Sequence, residues 1–135
     1  PVAAYTSGGI NPTDGTWTTV QSLVAEANDG ETAILFSLNA GDYFDGPGEF
    51  GSDTASFSVR ILRDTTNVYQ ALAARQPIER NGTYYYNFAA QVEIGTLSSD
   101  TNIYLQVYDN STQQDTLATG LTFYDRTLIA IGLKK

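Results

Sequence analysis

Apolar and polar residues alternate along most of this chain. In residues 56–61, Phe57, Val59 and Ile61 alternate with Ser or Arg, which is typical of a strand with one face in a core. The same alternation runs from Tyr84 to Ile94. Patterns with the period of a helix are nearly missing. The alternation and the β-branched and aromatic composition predict six further strands, at Thr16–Ala27, Glu31–Leu38, Asn67–Ala73, Thr101–Tyr108, Leu121–Tyr124 and Thr127–Leu133.

About eight short strands follow one another with turn residues between them, as at Asn28-Asp29-Gly30 and Asn81-Gly82. Because no helices separate the strands, the parallel crossovers of α/β folds are excluded. The sequence therefore predicts an all-β fold, an antiparallel β-sandwich with the topology of a jelly roll. An immunoglobulin-like sandwich is the structural alternative, but its characteristic disulfide is impossible in a chain without cysteine.

Two segments depart from the alternation. Residues Asn39–Thr54 contain four glycines and a proline, which predict a long loop. Residues 1–15 are also rich in Gly and Pro and show no periodicity, which predicts an extended N-terminal arm able to clasp a neighbouring subunit. The domain organisation is therefore expected to be an arm at 1–15 and a single β-sandwich domain at 16–135.

The last predicted strand is apolar or small on both of its faces. Such a strand needs cover on two sides, and in a small antiparallel sandwich the second cover is often another copy of the chain. The alternative is a central strand that is covered by loops of its own chain. We predict a self-assembly interface at Leu128, Ile129, Ala130, Ile131 and Leu133.

Composition removes most catalytic chemistry. The chain has no Cys and no His, so thiolate nucleophiles, the usual general base and the usual zinc ligands are all missing. Paired carboxylates are the catalytic arrangement that remains, and a glycosidase would need them in a sugar cleft that a sandwich of 135 residues has little material to form. We expect that the protein is not an enzyme.

Charge restricts the partners. The net charge is −8, and residues 1–59 contain eight acidic residues and no basic residue. An acidic surface repels nucleic acid and anionic lipid, so neither nucleic acid nor a membrane is expected as a partner. The chain also lacks an apolar run long enough to span a membrane.

Acidic and aromatic residues stand together in the predicted long loop. We predict that this segment contacts a partner or ligand, through Asp42, Tyr43, Phe44, Asp45, Glu49 and Phe50. Calcium bound by Asp42 and Asp45 is one alternative and simple solvation of the acids is another, so no cofactor is predicted. Outside this loop, Tyr85, Tyr104 and Tyr108 fall on the polar faces of strands, where exposed rings suit sugar stacking or a protein interface.

The C-terminal stretch Phe123–Lys135 resembles the closing strand of small jelly-roll proteins in the virions of tailed bacteriophages. Residues Ser58–Asp64 and Tyr84–Phe88 resemble the middle strands of the same proteins. The resemblance implies a jelly roll similar to tumour necrosis factor or to the complement head, assembled as a trimer. The chain departs from the family at Gly132, where the family strand tends to have an acidic residue before its Leu.

The function implied by the resemblance is that of a capsid decoration (cement) protein, which stabilises the shell as a homotrimer. Its partners would be copies of itself and the major capsid protein or another virion protein, and its location would be the virion. The alternative is a receptor- or carbohydrate-binding head domain of a phage tail fibre.

Overall fold

The computed structural model describes residues 1–12, 15–44, 54–77, 82–111 and 121–133, and the regular secondary structure in these ranges is all strand. The eight strands are β1 (Val2–Thr6), β2 (Thr18–Ala25), β3 (Thr32–Phe44), β4 (Thr54–Arg63), β5 (Thr66–Pro77), β6 (Gly82–Glu93), β7 (Thr101–Asp109) and β8 (Thr122–Gly132). No helix in the described ranges has the length and apolarity that crossing a membrane requires.

The strands form two four-stranded antiparallel sheets. The first sheet has the order β1-β8-β3-β6, and the second has the order β2-β7-β4-β5. Chain-neighbouring strands mostly lie in different sheets, which is the arrangement of a jelly roll. The predicted all-β fold and its sandwich architecture are confirmed.

The alternation of the sequence places one face of each sheet in a shared core. Phe57, Val59 and Ile61 are fully buried, as their spacing predicts. Phe57 of the second sheet packs edge-to-face on Phe123 of the first, with 5.0 Å between ring centroids and an interplanar angle of 78°. This ring pair joins the two sheets within the core.

The segment predicted as an extended arm includes a strand of the first sheet. Residues Val2–Thr6 form β1 and pair with β8 of the same chain, from Val2 opposite Ala130 to Thr6 opposite Arg126. Val2 and Ala4 pack against the core. The structure thus shows what holds this part of the arm, and the boundary at residue 15 stays a prediction.

Two strands predicted near the C-terminus, Leu121–Tyr124 and Thr127–Leu133, form the single strand β8. The pairing of β8 with β3 shifts register between Ser37 and Asn39, and Asp125 lies at this bulge with φ of 49°. An Asp tolerates this left-handed conformation better than most residues. The bulge changes the alternation of inward and outward side chains, which is why the sequence reads as two strands.

The predicted long loop Asn39–Thr54 is partly strand, so that prediction was wrong at both ends. Residues Asn39–Phe44 continue β3, and Thr54 begins β4. Gly41 lies within the ladder, opposite Tyr85 on one side and Thr122 on the other. Pairing on both sides compensates for the low strand propensity of glycine. Residues 45–53 lie outside the described ranges.

Arg126 is a charged residue in the core, with 6% of its surface exposed. Its Nε atom donates to the Val20 carbonyl oxygen at 2.6 Å, and Nη1 donates to the carbonyl oxygens of Gly8 and Phe123. Burial lowers the pKa of the guanidinium. The side chain therefore fastens β2 and the segment after β1 to the strand that carries it.

Candidate functional site

The structure divides the five residues of the predicted self-assembly interface between two sides of the first sheet. Leu128 and Ala130 point into the core between the sheets. Ile129 and Ile131 are half-buried on the opposite, outer face, and Leu133 follows the strand with 38% of its surface exposed. Ile129 and Ile131 are therefore the members of the set that β8 presents on the outer face.

An uncharged patch surrounds Ile129 on this outer face. Ile129 lies opposite Ala3 of β1 and Leu35 of β3. Two acidic residues on this face lie outside the patch, in the neighbouring rows of paired residues: Glu93 is opposite Ala33, and Asp125 is beside Asn39. The uncharged patch is defined as the outward-facing residues that line a shallow groove beside Ile129, namely Leu35, Ser37, Ala89, Gln91, Thr127 and Ile129. Leu35 and Ala89 could not be identified from the sequence, because only the register between strands brings them next to Ile129.

A hydrogen-bonded ladder borders the uncharged patch and crosses all four strands of the first sheet. The Tyr5 hydroxyl donates to Asp125 Oδ1 at 3.0 Å, and Asn39 Nδ2 donates to Asp125 Oδ2 at 3.2 Å. Asn87 Nδ2 then donates to Asn39 Oδ1 at 2.6 Å. The ladder fixes the positions of side chains that would otherwise be free on an exposed sheet face.

The Tyr5–Asp125 hydrogen bond gives a testable pH effect. The bond and the charge of Asp125 raise the pKa of the Tyr5 phenol. We expect Asp125→Gly to lower this pKa toward its ordinary value, because glycine keeps the left-handed backbone but removes the carboxylate. NMR titration of labelled tyrosine rings measures the change, with Tyr5→Phe identifying the signal.

The sign of the effect on stability follows from the raised pKa. The hydrogen bond stabilises the folded protein below the pKa of an unfolded tyrosine, and this contribution is lost as the pH rises through the folded-state pKa. In Asp125→Gly, the free energy of unfolding should therefore fall less steeply as the pH rises into the alkaline range. An unchanged Tyr5 titration in this variant would contradict the assigned role of Asp125.

The predicted contact segment begins at the end of β3. Asp42, Tyr43 and Phe44 pair with Tyr84, Thr83 and Gly82 of β6 in the backbone ladder. Their side chains, and all of Asp45, Glu49 and Phe50, lie outside what the structure describes. The contact and calcium predictions for this segment thus stay predictions. Within the described ranges, no three acidic residues cluster as metal ligands.

A cluster of aromatic residues and arginine lies on the outer face of the second sheet. The Arg60 guanidinium lies over the Trp17 ring, with its Cζ 4.3 Å from the centroid. The Tyr108 ring is tilted by 58° to Trp17 at a centroid distance of 5.5 Å. We call Trp17, Arg60 and Tyr108 the Trp17 cluster. Tyr108 was predicted to face outward, whereas Trp17 and Arg60 were not identified as site residues.

A row of hydrogen bonds across three strands holds Arg60 in place. Arg60 Nε donates to Gln106 Oε1 at 2.8 Å, and Gln106 Nε2 donates to Thr19 Oγ1 at 3.0 Å. These three residues are neighbours in register on β4, β7 and β2. The row explains how a long side chain keeps one position on an open sheet face.

Position 132, where this chain has glycine, has little room for a side chain. A Cβ atom at this position would lie 2.8 Å from Asn28 Cγ. Asn28 is itself held there, because its Nδ2 donates to the carbonyl oxygens of Gly30 and Glu31. An acidic side chain in place of Gly132 would therefore displace the Asn28 side chain.

No protein-family model matches the sequence, and no curated protein is similar to it at a significant level. Solved structures do match. The VP2 subviral particle of infectious bursal disease virus is 11% identical, with a TM-score of 0.56 over 97% of this chain and 32% of that chain. The Gx strain of the same virus is 10% identical, with a TM-score of 0.57 over 96% and 31%. This chain spans about a third of the length of these two viral proteins. The likeness shows a jelly-roll fold found in virus particles.

Proposed function

We propose that this domain is a structural subunit of a virus particle, a decoration (cement) protein of a tailed-phage capsid that assembles as a homotrimer. It acts through its surfaces and not as an enzyme. The observation that carries the proposal is the uncharged patch on the outer face of the first sheet. The fold is compatible with this role, because the matched jelly-roll proteins come from virus particles.

A second copy of the chain is the occupant that suits the uncharged patch. Each copy has a net charge of −8, so two copies repel each other over most of their surfaces. The repulsion is weakest where both surfaces are uncharged, and the patch offers Leu35 and Ile129 as apolar side chains for burial. Each Å² of apolar surface removed from water contributes about 25 cal/mol. Self-association through this face is therefore favoured over association through the acidic remainder.

Light scattering and native mass spectrometry test the assembly. We expect the unaltered chain to form a trimer and Ile129→Lys to remain a monomer, because three buried ammonium groups would meet at the interface. The matched control is Val24→Lys, since Val24 is 49% exposed on a strand of the other sheet. This control should stay trimeric, and circular dichroism should show that both variants fold.

A monomer for the unaltered chain, or a trimer for Ile129→Lys, would contradict the proposed interface. The virion role is tested separately, by adding the protein to shells stripped of accessory proteins. We expect binding at a fixed, high copy number on the major capsid protein or another virion protein. Failure to bind intact shells while trimers form would refute the decoration role and leave the assembly role standing.

A second function has support from the opposite side of the sandwich. The Trp17 cluster presents half-buried aromatic rings beside an arginine, which suits recognition of a receptor or carbohydrate by the head of a tail fibre. Self-assembly and recognition use different sheets in this interpretation. Both can therefore operate in one molecule.

A further inference from the structure

We infer that the Trp17 cluster is a binding site for an acidic saccharide, whose carboxylate is held by Arg60. The inference deepens the recognition function and rests on it, but it does not depend on the assembly proposed for the first sheet. Four features of the site carry it: a fixed arginine, adjacent rings, neutral polar neighbours and the charge of the rest of the chain.

The Arg60 guanidinium is positioned before any ligand arrives. Its Nε atom donates a hydrogen bond to Gln106, and its Cζ atom lies over the Trp17 ring. Within the described part of the chain, its Nη1 and Nη2 atoms have no hydrogen-bond partner. A guanidinium offers parallel N–H groups that match the two oxygens of a carboxylate. Because the side chain is already ordered, binding requires little loss of conformational entropy.

Aromatic rings flank this arginine along β7. Tyr104, Gln106 and Tyr108 follow one another at every second position of the strand and are half-buried on its outer face. Same-face neighbours on a strand are about 7 Å apart. Arg60 and Gln106 therefore lie between two tyrosines, and the distance between these tyrosines is comparable to the length of one or two sugar rings. Aromatic faces suit the C–H surfaces of a pyranose.

The residues in register with the arginine on the neighbouring strands are polar and neutral. Gln70 is exposed directly opposite Arg60 on β5, and its Oε1 accepts a hydrogen bond from Asn67 Nδ2. Thr19 lies on the other side of Gln106. Amide and hydroxyl groups both donate and accept hydrogen bonds, as sugar hydroxyls require.

The charge of the whole chain makes such a site selective. Arg60 is the first basic residue in the sequence, and the chain has a net charge of −8. Long-range electrostatics therefore oppose the nonspecific binding of polyanions. An acidic saccharide can bind only where local contacts outweigh this repulsion. Binding that saturates at one site therefore indicates a specific site and not nonspecific attraction of an anion.

The single tryptophan of the chain reports directly on the site, because Trp17 is in contact with Arg60. We propose titrating the full chain with trigalacturonate and with sialyllactose, while following tryptophan emission. The neutral controls are the methyl ester of trigalacturonate and lactose. We expect a saturable change with an acidic probe at concentrations up to about 10 mM, and none with its neutral counterpart.

Variants separate the carboxylate contact from simple loss of structure. Arg60→Met should weaken binding at least about tenfold, and Arg60→Lys should not restore it, because lysine lacks the planar fork. The matched control is Arg75→Met, which removes an exposed arginine from β5 of the same sheet. Arg75→Met should bind as the unaltered chain does.

No saturable change with either acidic probe would overturn the inference, and so would equal binding by Arg60→Met. Binding of both the acidic and the neutral probes would also overturn it, since the carboxylate would then be irrelevant. Heteronuclear NMR of each variant confirms the fold and shows whether shifts centre on β7. Light scattering on the same samples reports the trimer, so failure of the site is distinguishable from failure of the assembly.

Discussion

Replacing Arg126 with methionine is expected to lower the free energy of unfolding by about 2–3 kcal/mol. The methionine fills most of the volume of the arginine stem but provides no donor. The carbonyl oxygens of Val20, Gly8 and Phe123 would all lose the N–H groups they now accept from. A buried acceptor left without a partner costs about 1–3 kcal/mol. This cost applies to the Val20 oxygen, because Gly8 is exposed to water and Phe123 keeps a bond from Ile10.

Urea unfolding followed by circular dichroism measures this change. Arg75→Met is the control, because Arg75 is exposed and its replacement should change stability by less than about 0.5 kcal/mol. Arg126→Lys should recover only part of the loss, since one ammonium cannot reproduce the guanidinium geometry. A loss below about 1 kcal/mol in Arg126→Met would show that the three carbonyl contacts contribute little.

Truncating Phe57 to alanine should cost about 3–5 kcal/mol of the free energy of unfolding. Phe57 is fully buried and contacts rings of the opposite sheet, Phe123 at 5.0 Å and Tyr86 at 6.0 Å between centroids. The substitution removes the apolar ring and leaves a cavity where the sheets meet. Surrounding strands cannot close the cavity fully, because each is fixed in a ladder.

Thermal and urea unfolding of Phe57→Ala and Phe57→Leu test the prediction together. The leucine variant keeps more of the volume and should lose less stability than the alanine variant. Leu72→Ala serves as the surface control, because Leu72 is 57% exposed on β5. Equal stability of the two Phe57 variants would argue against a cavity as the cause.

The sequence predicted the strands best where side chains alternate without interruption. Phe57, Val59 and Ile61 are in the core, and Tyr85 is 73% exposed, as their positions in the alternation predict. The prediction was wrong at Arg126, which occupies an inward position after the Asp125 bulge. A charged residue that faces the core interrupts the alternation of apolar and polar residues, so the sequence predicts two strands where the structure has one. The sequence does not show that three backbone carbonyl oxygens accept hydrogen bonds from this buried guanidinium, because two of the acceptors come from distant parts of the chain.

The candidate surfaces were less predictable than the fold. The sequence predicts that Tyr108 faces outward and that Ile129 belongs to a self-assembly interface, but it does not contain the register between strands. Leu35 lies opposite Ile129, and Arg60 reaches Trp17, through pairings between distant parts of the chain. Each surface is therefore assembled by the sheet, and its members cannot be found by reading one strand alone.

The pairing of β1 with β8 has a kinetic consequence. It joins strands from opposite ends of the chain, and β4 with β5 is the one pair of consecutive strands that are ladder partners among the described residues. Most strand pairs therefore form only after a long stretch of chain has been closed into a loop, at a cost in conformational entropy. Such a topology has a high contact order and is expected to fold slowly. The β4–β5 hairpin is the local structure available to form early. The two ends of the chain should gain protection from hydrogen exchange together, as the last step of folding.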